Sequence, residues 1–201
     1  GGLALAQVGS DWLLSWNDES AWSLAAGMAT MITRHFARLT LRNGKAQVRE
    51  VLRSPAVHVG RSGGQFASDG ASSALYAGWG IAGSGNKVAT AALFEPGPAR
   101  LLGNPNPEEP RGWSGWDTGH MITLFNVSVP VDGPVAVAFG QDTYLVAARE
   151  AHAGRPTGRN RLLGSRLTAA GVRLDKAPAW PVLHDSPHRI ANPALAGGGR
   201  Q

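Results

Sequence analysis

The sequence predicts an all-β protein built from antiparallel meander repeats. Three observations indicate this class: the composition, the alternation of short apolar runs with turn signals, and the recurrence of one such pattern along the chain. The 201 residues include 27 Gly and 13 Pro, and 16% are charged. Since Gly and Pro are unfavourable inside helices, this composition favours many short strands joined by turns.

The clearest meander runs from Gln141 to Asp175. It opens with an apolar run, Tyr144 to Ala148, which the charged pair Arg149-Glu150 closes. A polar loop rich in Gly and Arg follows, then a second run from Leu162 to Leu167. A small turn leads into the short run Val172-Arg173-Leu174, as expected when strands return beside each other.

The amino-terminal segment, Gly1 to Asp18, has the same order of features as Pro134 to Glu150: an alternating run, a Gly-polar-Asp turn (Gly140-Gln141-Asp142 in the later segment), an aromatic-led apolar run and an acidic stop. Trp12 matches Tyr144, and Asp18 matches Glu150. Further along, Glu19 to Thr33 is compatible with a short helix or with a loop before a strand, and we favour strands. Asn43-Gly44 is a strong hairpin signal.

The second unit begins near Ser62 and has a turn at Ser68-Asp69-Gly70, followed by a strand candidate at Asn86 to Phe94. A proline-rich surface loop comes next. His120 to Val129 is the most β-prone run, and it either closes the second unit or belongs to a shortened one. Pro178 to Pro187 is predicted to be a proline-punctuated connection.

We therefore expect one repeat-built domain over residues 1–201, with units at about 1–61, 62–131 and 132–190. Residues 191–201 then open or close a further unit. The pattern of a [Tyr/Trp]-Leu-Val run, a polar loop and "R-L-x-x-x-G" resembles the blades of bacterial β-propellers. The resemblance implies a radial array of four-stranded sheets, usually with four to eight blades. Three units do not close that ring, so the chain is expected to be a fragment, part of an oligomeric ring, or a β-sandwich.

The charge has two interpretations. The formal net charge is +5, and 16 of the 19 cations are Arg. Such a balance fits an anionic-polymer binder, but the Arg residues are scattered, so a nucleic-acid partner is not expected. The only dense group, Arg155, Arg159, Arg161 and Arg166, surrounds one loop, and Arg155, Arg159 and Arg161 form the candidate anion-binding site.

The reactive side chains predict little chemistry. The chain has no Cys, which excludes disulfides and thiol nucleophiles. His184, Asp185 and His188 lie close together, but Pro187 argues against the helix that metal ligation would need, and we interpret the segment as a polar loop. No Gly-x-Ser-x-Gly elbow is present. No metal, cofactor or catalytic residue is assigned.

Trp113 and Trp116, beside Asp117, form the candidate ligand site, since they lie in a Gly/Ser-rich segment unlike a core. Indole faces stack on the C–H faces of sugars, and carboxylates accept hydroxyl protons. The alternative is that these indoles pack between sheets.

The resulting hypothesis is a non-catalytic binding or scaffold module that recognises a protein partner or a polysaccharide through its edge loops. We expect it to be secreted or on the surface of a bacterial cell, without a membrane span and with possible self-association or a longer parent chain. The alternative is a fragment of a propeller-type glycoside hydrolase or polysaccharide lyase. That alternative needs convergent carboxylates, whereas those in the sequence show no recognisable spacing.

Overall fold

A computed structural model describes residues 3–24, 27–53, 57–58, 64–81, 87–95, 121–125, 131–150, 160–175, 180–188, 190 and 193–197. Within these ranges all the regular secondary structure is β-strand, and the strands form three antiparallel sheets. The all-β prediction is confirmed. Whether the sheets belong to a propeller or a sandwich, and how the chain divides into units, stay predictions.

The first sheet has the order β1-β2-β3-β4, and a short β5 pairs with β3 beyond the end of β4. Asn43 and Gly44 join β3 to β4 with φ of 50° and 72°, as a two-residue hairpin turn requires, so the predicted hairpin is confirmed. Its strands are β1 (Ala4–Val8), β2 (Asp11–Leu24), β3 (Gly27–Arg42), β4 (Lys45–Arg53) and β5 (Val57–His58).

The described residues of the ambiguous stretch, 19–24 and 27–33, are strand. β2 continues to Leu24, where it pairs with Gly27, so the favoured strand interpretation is confirmed and both the helix and the loop are wrong. Ala, Leu and Met favour helices only weakly, and cross-strand pairing along a long hairpin overrides that preference.

The middle sheet has the order β6-β7-β8-β9. β9 pairs with β8, so the β-prone run does close this sheet, although its strand is short; residues 126–130 lie outside the described ranges. Its strands are β6 (Gln65–Ser68), β7 (Ala74–Ile81), β8 (Lys87–Phe94) and β9 (Met121–Thr123).

The last sheet has the order β10-β11-β12-β13. The prediction of a connection from Pro178 to Pro187 was wrong, because β13 lies inside that stretch. Pro181 and Pro187 flank the strand rather than interrupt it, so they cost no ladder hydrogen bond. Its strands are β10 (Val131–Gly140), β11 (Thr143–Glu150), β12 (Asn160–Thr168) and β13 (Val182–Ser186).

The first and last sheets share one pairing register. Trp12 pairs with Leu39 on β3, and Tyr144 pairs with Leu167 on β12. One strand back, Gln7 pairs with Trp12 as Phe139 pairs with Tyr144. Trp12 and Tyr144, matched from the sequence, thus occupy the same place in their ladders.

The middle sheet is buried on both faces. Because neighbouring side chains on a strand point to opposite faces, Tyr76 packs with Phe36 of the first sheet while Leu75 packs with the last sheet. The core toward the first sheet contains Val8, Leu13, Phe36, Ala74, Tyr76, Ala92 and Phe94. The larger core toward the last sheet includes Leu93, Ile122, Val137, Tyr144, Val146 and Leu167.

Candidate functional site

A cleft of about 950 Å³ lies between the first strands of the middle and last sheets, β6 and β10. It reaches the turns that follow these strands, and two residues near the carboxyl terminus complete its wall. It is lined by Phe66, Ala67, Ser68, Asp69, Gly70, Ala71, Ser72, Val137, Ala138, Phe139, Asp142, Ala169, Leu195 and Gly197.

Asp69 organises the turn at one side of the cleft. Its Oδ1 accepts hydrogen bonds from the backbone amides of Ala71, Ser72 and Ser73 at 2.9, 2.7 and 2.9 Å. Partial burial works to raise the pKa of Asp69, but the hydrogen bonds from the Ser72 hydroxyl and these amides outweigh it and lower the pKa. Asp69 therefore places a stably ionised carboxylate at the cleft.

The opposite turn carries a second carboxylate. Gln141 and Asp142 have φ of 50° and 59°, which matches the twist of a two-residue hairpin between β10 and β11. Thr143 Oγ1 donates to the Gly140 carbonyl at 3.1 Å and closes the turn. Asp142 lines the cleft and is exposed. Its position is fixed by the hairpin rather than by a flexible loop.

Two phenylalanines line the cleft, and the ring of one of them, Phe66, also packs against Phe36 and Phe94 in the core toward the first sheet. Phe66 and Phe139 are half-buried, and each packs against the tyrosine opposite it on the next strand. The ring centroids are 5.0 Å apart for Phe66 and Tyr76 and 4.8 Å apart for Phe139 and Tyr144. Such edge contacts hold the phenylalanine rings in place on rigid strands.

A buried hydrogen bond fixes the two sides of the cleft relative to each other. The hydroxyls of Ser73 and Tyr144 are 2.7 Å apart, and Ser73 Oγ also donates to Asp69 Oδ2 at 3.1 Å. Burial raises the pKa of Tyr144 far above its usual value, so the phenol stays protonated and can donate to Ser73. The turn of the middle sheet is thereby tied to β11.

The carboxyl-terminal segment closes the cleft beside β10. A Cβ at Gly197 would lie 2.3 Å from the Phe139 carbonyl oxygen, so glycine permits this approach. Arg149 Nη1 donates to the Ile190 carbonyl at 2.8 Å, which holds the start of the segment. Whether residues 191–201 open or close a further unit stays a prediction.

The sequence-predicted ligand residues Trp113, Trp116 and Asp117 lie outside the described residues, as do Arg155 and Arg159. The structure therefore places none of them beside the cleft or away from it.

Arg161 of the predicted anion site is on β12 and pairs with Glu150. Its Nε and Nη2 donate to the two carboxylate oxygens at 2.5 and 2.7 Å, and these hydrogen bonds raise the pKa of Arg161. Nearby Arg166 likewise pairs with Asp175, at 2.7 Å. Burial works to raise the pKa of Asp175, but the hydrogen bonds and the charge of Arg166 together outweigh it and lower the pKa. Both guanidinium groups have protein partners.

The His184 segment is a strand rather than the predicted polar loop, because residues 182–186 form β13 and pair with β12. His184, Asp185 and His188 are on the surface. In the described part of the chain, no group of three His, Cys, Asp or Glu side chains could hold a metal ion.

The cleft residues were missed as a site by sequence reasoning. Ser68-Asp69-Gly70 and Gly140-Gln141-Asp142 were recognised as turns, yet nothing in their spacing says that the two turns meet. The available signal was the repeated hairpin, since equivalent hairpins on neighbouring sheets bring equivalent turns to the same end. Gly9 N donates to the Gly70 carbonyl at 3.2 Å, which brings the turn of the first sheet there as well.

Comparison with known proteins gave no match: no family model, no curated protein and no solved structure is similar to this chain. Among the described residues, no helix has the length and apolar character needed to cross a membrane.

Proposed function

We propose that the protein is a non-catalytic binding module that receives a carbohydrate in the cleft between β6 and β10. The observation that carries this proposal is the combination of aromatic rings and carboxylates in one cleft of about 950 Å³. Small-ligand sites commonly measure about 300–1,000 Å³ and hold a few well-placed polar groups among apolar ones. Phe139 and the part of Phe66 that the core leaves exposed offer apolar surface for a pyranose, while Asp142 offers acceptors for its hydroxyls.

The state of Asp69 favours binding over hydrolysis. A glycoside hydrolase needs one carboxylic acid whose pKa is raised, so that it can protonate the leaving oxygen. The hydrogen bonds around Asp69 lower its pKa instead, and its oxygens already serve the turn. Asp69 is therefore suited to holding the cleft in shape, and the hydrolase or lyase alternative has no proton donor at this position.

The test is binding of a polysaccharide and oligosaccharide panel to the purified chain, followed by calorimetry on any ligand found. Ala71→Arg places a long side chain in the cleft from an exposed turn position. Gln47→Arg adds the same side chain at an exposed position of β4 and serves as the control. We expect Ala71→Arg to weaken binding by more than about tenfold, which is about 1.4 kcal/mol, with the control unchanged.

A milder variant tests the carboxylate. Asp142→Asn keeps the size of the side chain, and Asn tolerates the left-handed backbone of this turn. We expect it to weaken binding by a few-fold, about 0.5–1.5 kcal/mol, because one hydrogen-bond acceptor becomes a donor. If Ala71→Arg and Asp142→Asn bind the ligand as tightly as Gln47→Arg and the unmodified chain do, the cleft is not the binding site.

The predicted tryptophans are tested on the same ligand. If Trp113→Ala and Trp116→Ala abolish binding while Ala71→Arg does not, the sugar binds the loop that carries them rather than the cleft. Release of new reducing ends from a bound polysaccharide would overturn the non-catalytic assignment. A location outside the cell or on its surface, where such polysaccharides occur, remains part of the proposal.

A further inference from the structure

Among the described residues, the charged side chains that line the cleft between β6 and β10 are all carboxylates. They belong to Asp69 and Asp142. The three segments that supply nearly all of the lining, residues 65–73, 135–142 and 193–197, contain no Lys, Arg or His. The whole chain, in contrast, has a formal net charge of +5. The charge of the cleft is therefore opposite in sign to the net charge of the molecule.

Asp69 supplies a negative charge at a fixed place in the cleft. Its Oδ1 accepts hydrogen bonds from three backbone amides of its own turn, and its Oδ2 accepts one from the Ser73 hydroxyl at 3.1 Å. Because these donors favour an ionised acceptor, the turn stabilises the charged form of the carboxyl group. Since both oxygens are engaged within the turn, Asp69 acts on a ligand through its charge rather than through direct contact.

Asp142 supplies the second negative charge, at a position that a ligand can reach. It is exposed, and the hairpin between β10 and β11 fixes its backbone at a φ of 59°. Much of the remaining lining is apolar, with Val137, Phe139 and Leu195 as its larger aliphatic and aromatic side chains beside Phe66. Apolar walls screen a charge less than water does, so a cleft lined by one sign of charge concentrates ligands of the opposite sign.

We propose that the carbohydrate received by this cleft is an amino sugar whose ammonium group binds beside Asp142, an inference that rests on the proposed function. An ammonium group forms a charge-assisted hydrogen bond with a carboxylate, which is stronger than the bond a sugar hydroxyl forms there. A uronic acid or a sulfated sugar brings a negative charge toward two others and is rejected. An N-acetylated amino sugar carries no charge and gains nothing from the carboxylates.

The experiment is calorimetry of the purified chain with glucosamine, N-acetylglucosamine and glucose oligosaccharides of the same linkage and length, and with a uronic acid oligosaccharide. The first three differ in a single substituent, and a mildly acidic buffer keeps the amine protonated and the aspartates ionised. We expect the glucosamine oligosaccharide to bind at least about tenfold more tightly than the glucose one, and the uronic acid to bind most weakly. Added salt should reduce the preference for the amine but leave glucose binding nearly unchanged.

Two variants with the same change in net charge test whether the cleft carries this preference. Asp142→Asn removes a cleft carboxylate and should lower the ratio of glucosamine to glucose affinity by about threefold or more. Asp185→Asn, at an exposed position of β13, is the control and should leave that ratio unchanged.

The outcomes separate this inference from the proposed function. Equal affinity for the glucosamine and glucose oligosaccharides, with both weakened by Ala71→Arg, overturns this inference alone and keeps the cleft as a carbohydrate site. A ratio that Asp142→Asn and Asp185→Asn change equally also overturns this inference. If no oligosaccharide shows binding that Ala71→Arg weakens, the proposed function fails, and this inference fails with it.

Discussion

Trp12 and Tyr144 occupy the same ladder position in two different sheets, but their surroundings differ. Tyr144 is 0% exposed, and its hydroxyl is hydrogen-bonded to Ser73 of the neighbouring sheet. Trp12 pairs across its strands in the same register, yet no sheet among the described residues packs on its side, and it is half-exposed. The strand pairing around the two residues is the same in both sheets. Whether a side chain at this position stabilises the core depends on the neighbouring sheet.

The comparison is sharpest at two leucines of equal size and equivalent register. Leu167 is buried against the middle sheet, whereas Leu39 lies on the side of the first sheet that faces away from the middle sheet and is half-exposed. We expect Leu167→Ala to lower the free energy of unfolding by about 2–5 kcal/mol, since it removes contacts and leaves a cavity. Leu39→Ala should cost about 1 kcal/mol or less at protein concentrations where the chain is monomeric. Urea unfolding of both variants measures the difference, and equal losses would contradict the contrast between the two sides.

The hairpin turns of the middle and first sheets should give the next largest difference in free energy of unfolding. The middle sheet has a five-residue turn that Asp69 ties together, whereas the first sheet turns through Gly9 and Ser10. Asp69→Ala removes the acceptor of three backbone amides and should cost about 1–3 kcal/mol. Ser10→Ala, at an exposed turn position, should change stability by less than about 0.5 kcal/mol.

The loss at Asp69 should also depend on pH. Its pKa is lowered in the folded state, so its stabilisation is present above the ordinary carboxyl pKa of about 4 and is lost as pH falls through the folded value. Unfolding curves of Asp69→Ala and the unmodified chain should therefore converge below about pH 4. A stability difference that stays constant down to pH 2 would contradict the role of the ionised carboxylate.

The hydroxyl of Tyr144 should contribute less to the free energy of unfolding than Asp69 does. Tyr144→Phe keeps the ring on Phe139 but removes the hydrogen bond to Ser73, which should cost about 0.5–1.5 kcal/mol. Because burial raises the pKa of Tyr144, its contribution is present below the ordinary phenol value of about 10 and is lost as pH rises further. Alkaline unfolding should be less steep in Tyr144→Phe. Trp12→Phe, which alters a half-exposed side chain of the first sheet, should leave that pH dependence unchanged.

These contrasts also show which features of the fold and the cleft can be predicted from the sequence. Turn residues such as Asn43-Gly44, and the aromatic-led runs at Trp12 and Tyr144, predict the hairpins because their signals are local. β13 was missed because the prolines around it look like a loop until their place outside the ladder is known. The cleft was missed for a different reason: Phe66 and Phe139 are distant in sequence, and packing of one sheet on another brings them together. The alternation of apolar residues and the identity of the turn residues do not specify how one sheet packs on another.

The smallest effect is expected at the paired arginine of the last sheet. Glu150 meets Arg161 across β11 and β12, whereas the equivalent position of the first sheet pairs Asp18 with Thr33. Arg161→Thr gives the last sheet the residue type that the first sheet has at the equivalent position, Thr33. It should cost about 1 kcal/mol or less, because the pair is partly exposed and solvent screens it. Added salt should reduce the difference between variant and unmodified chain. Sulfate titration tests the predicted anion site: a guanidinium already held by Glu150 has little to offer an anion, so binding should be equally weak in both chains.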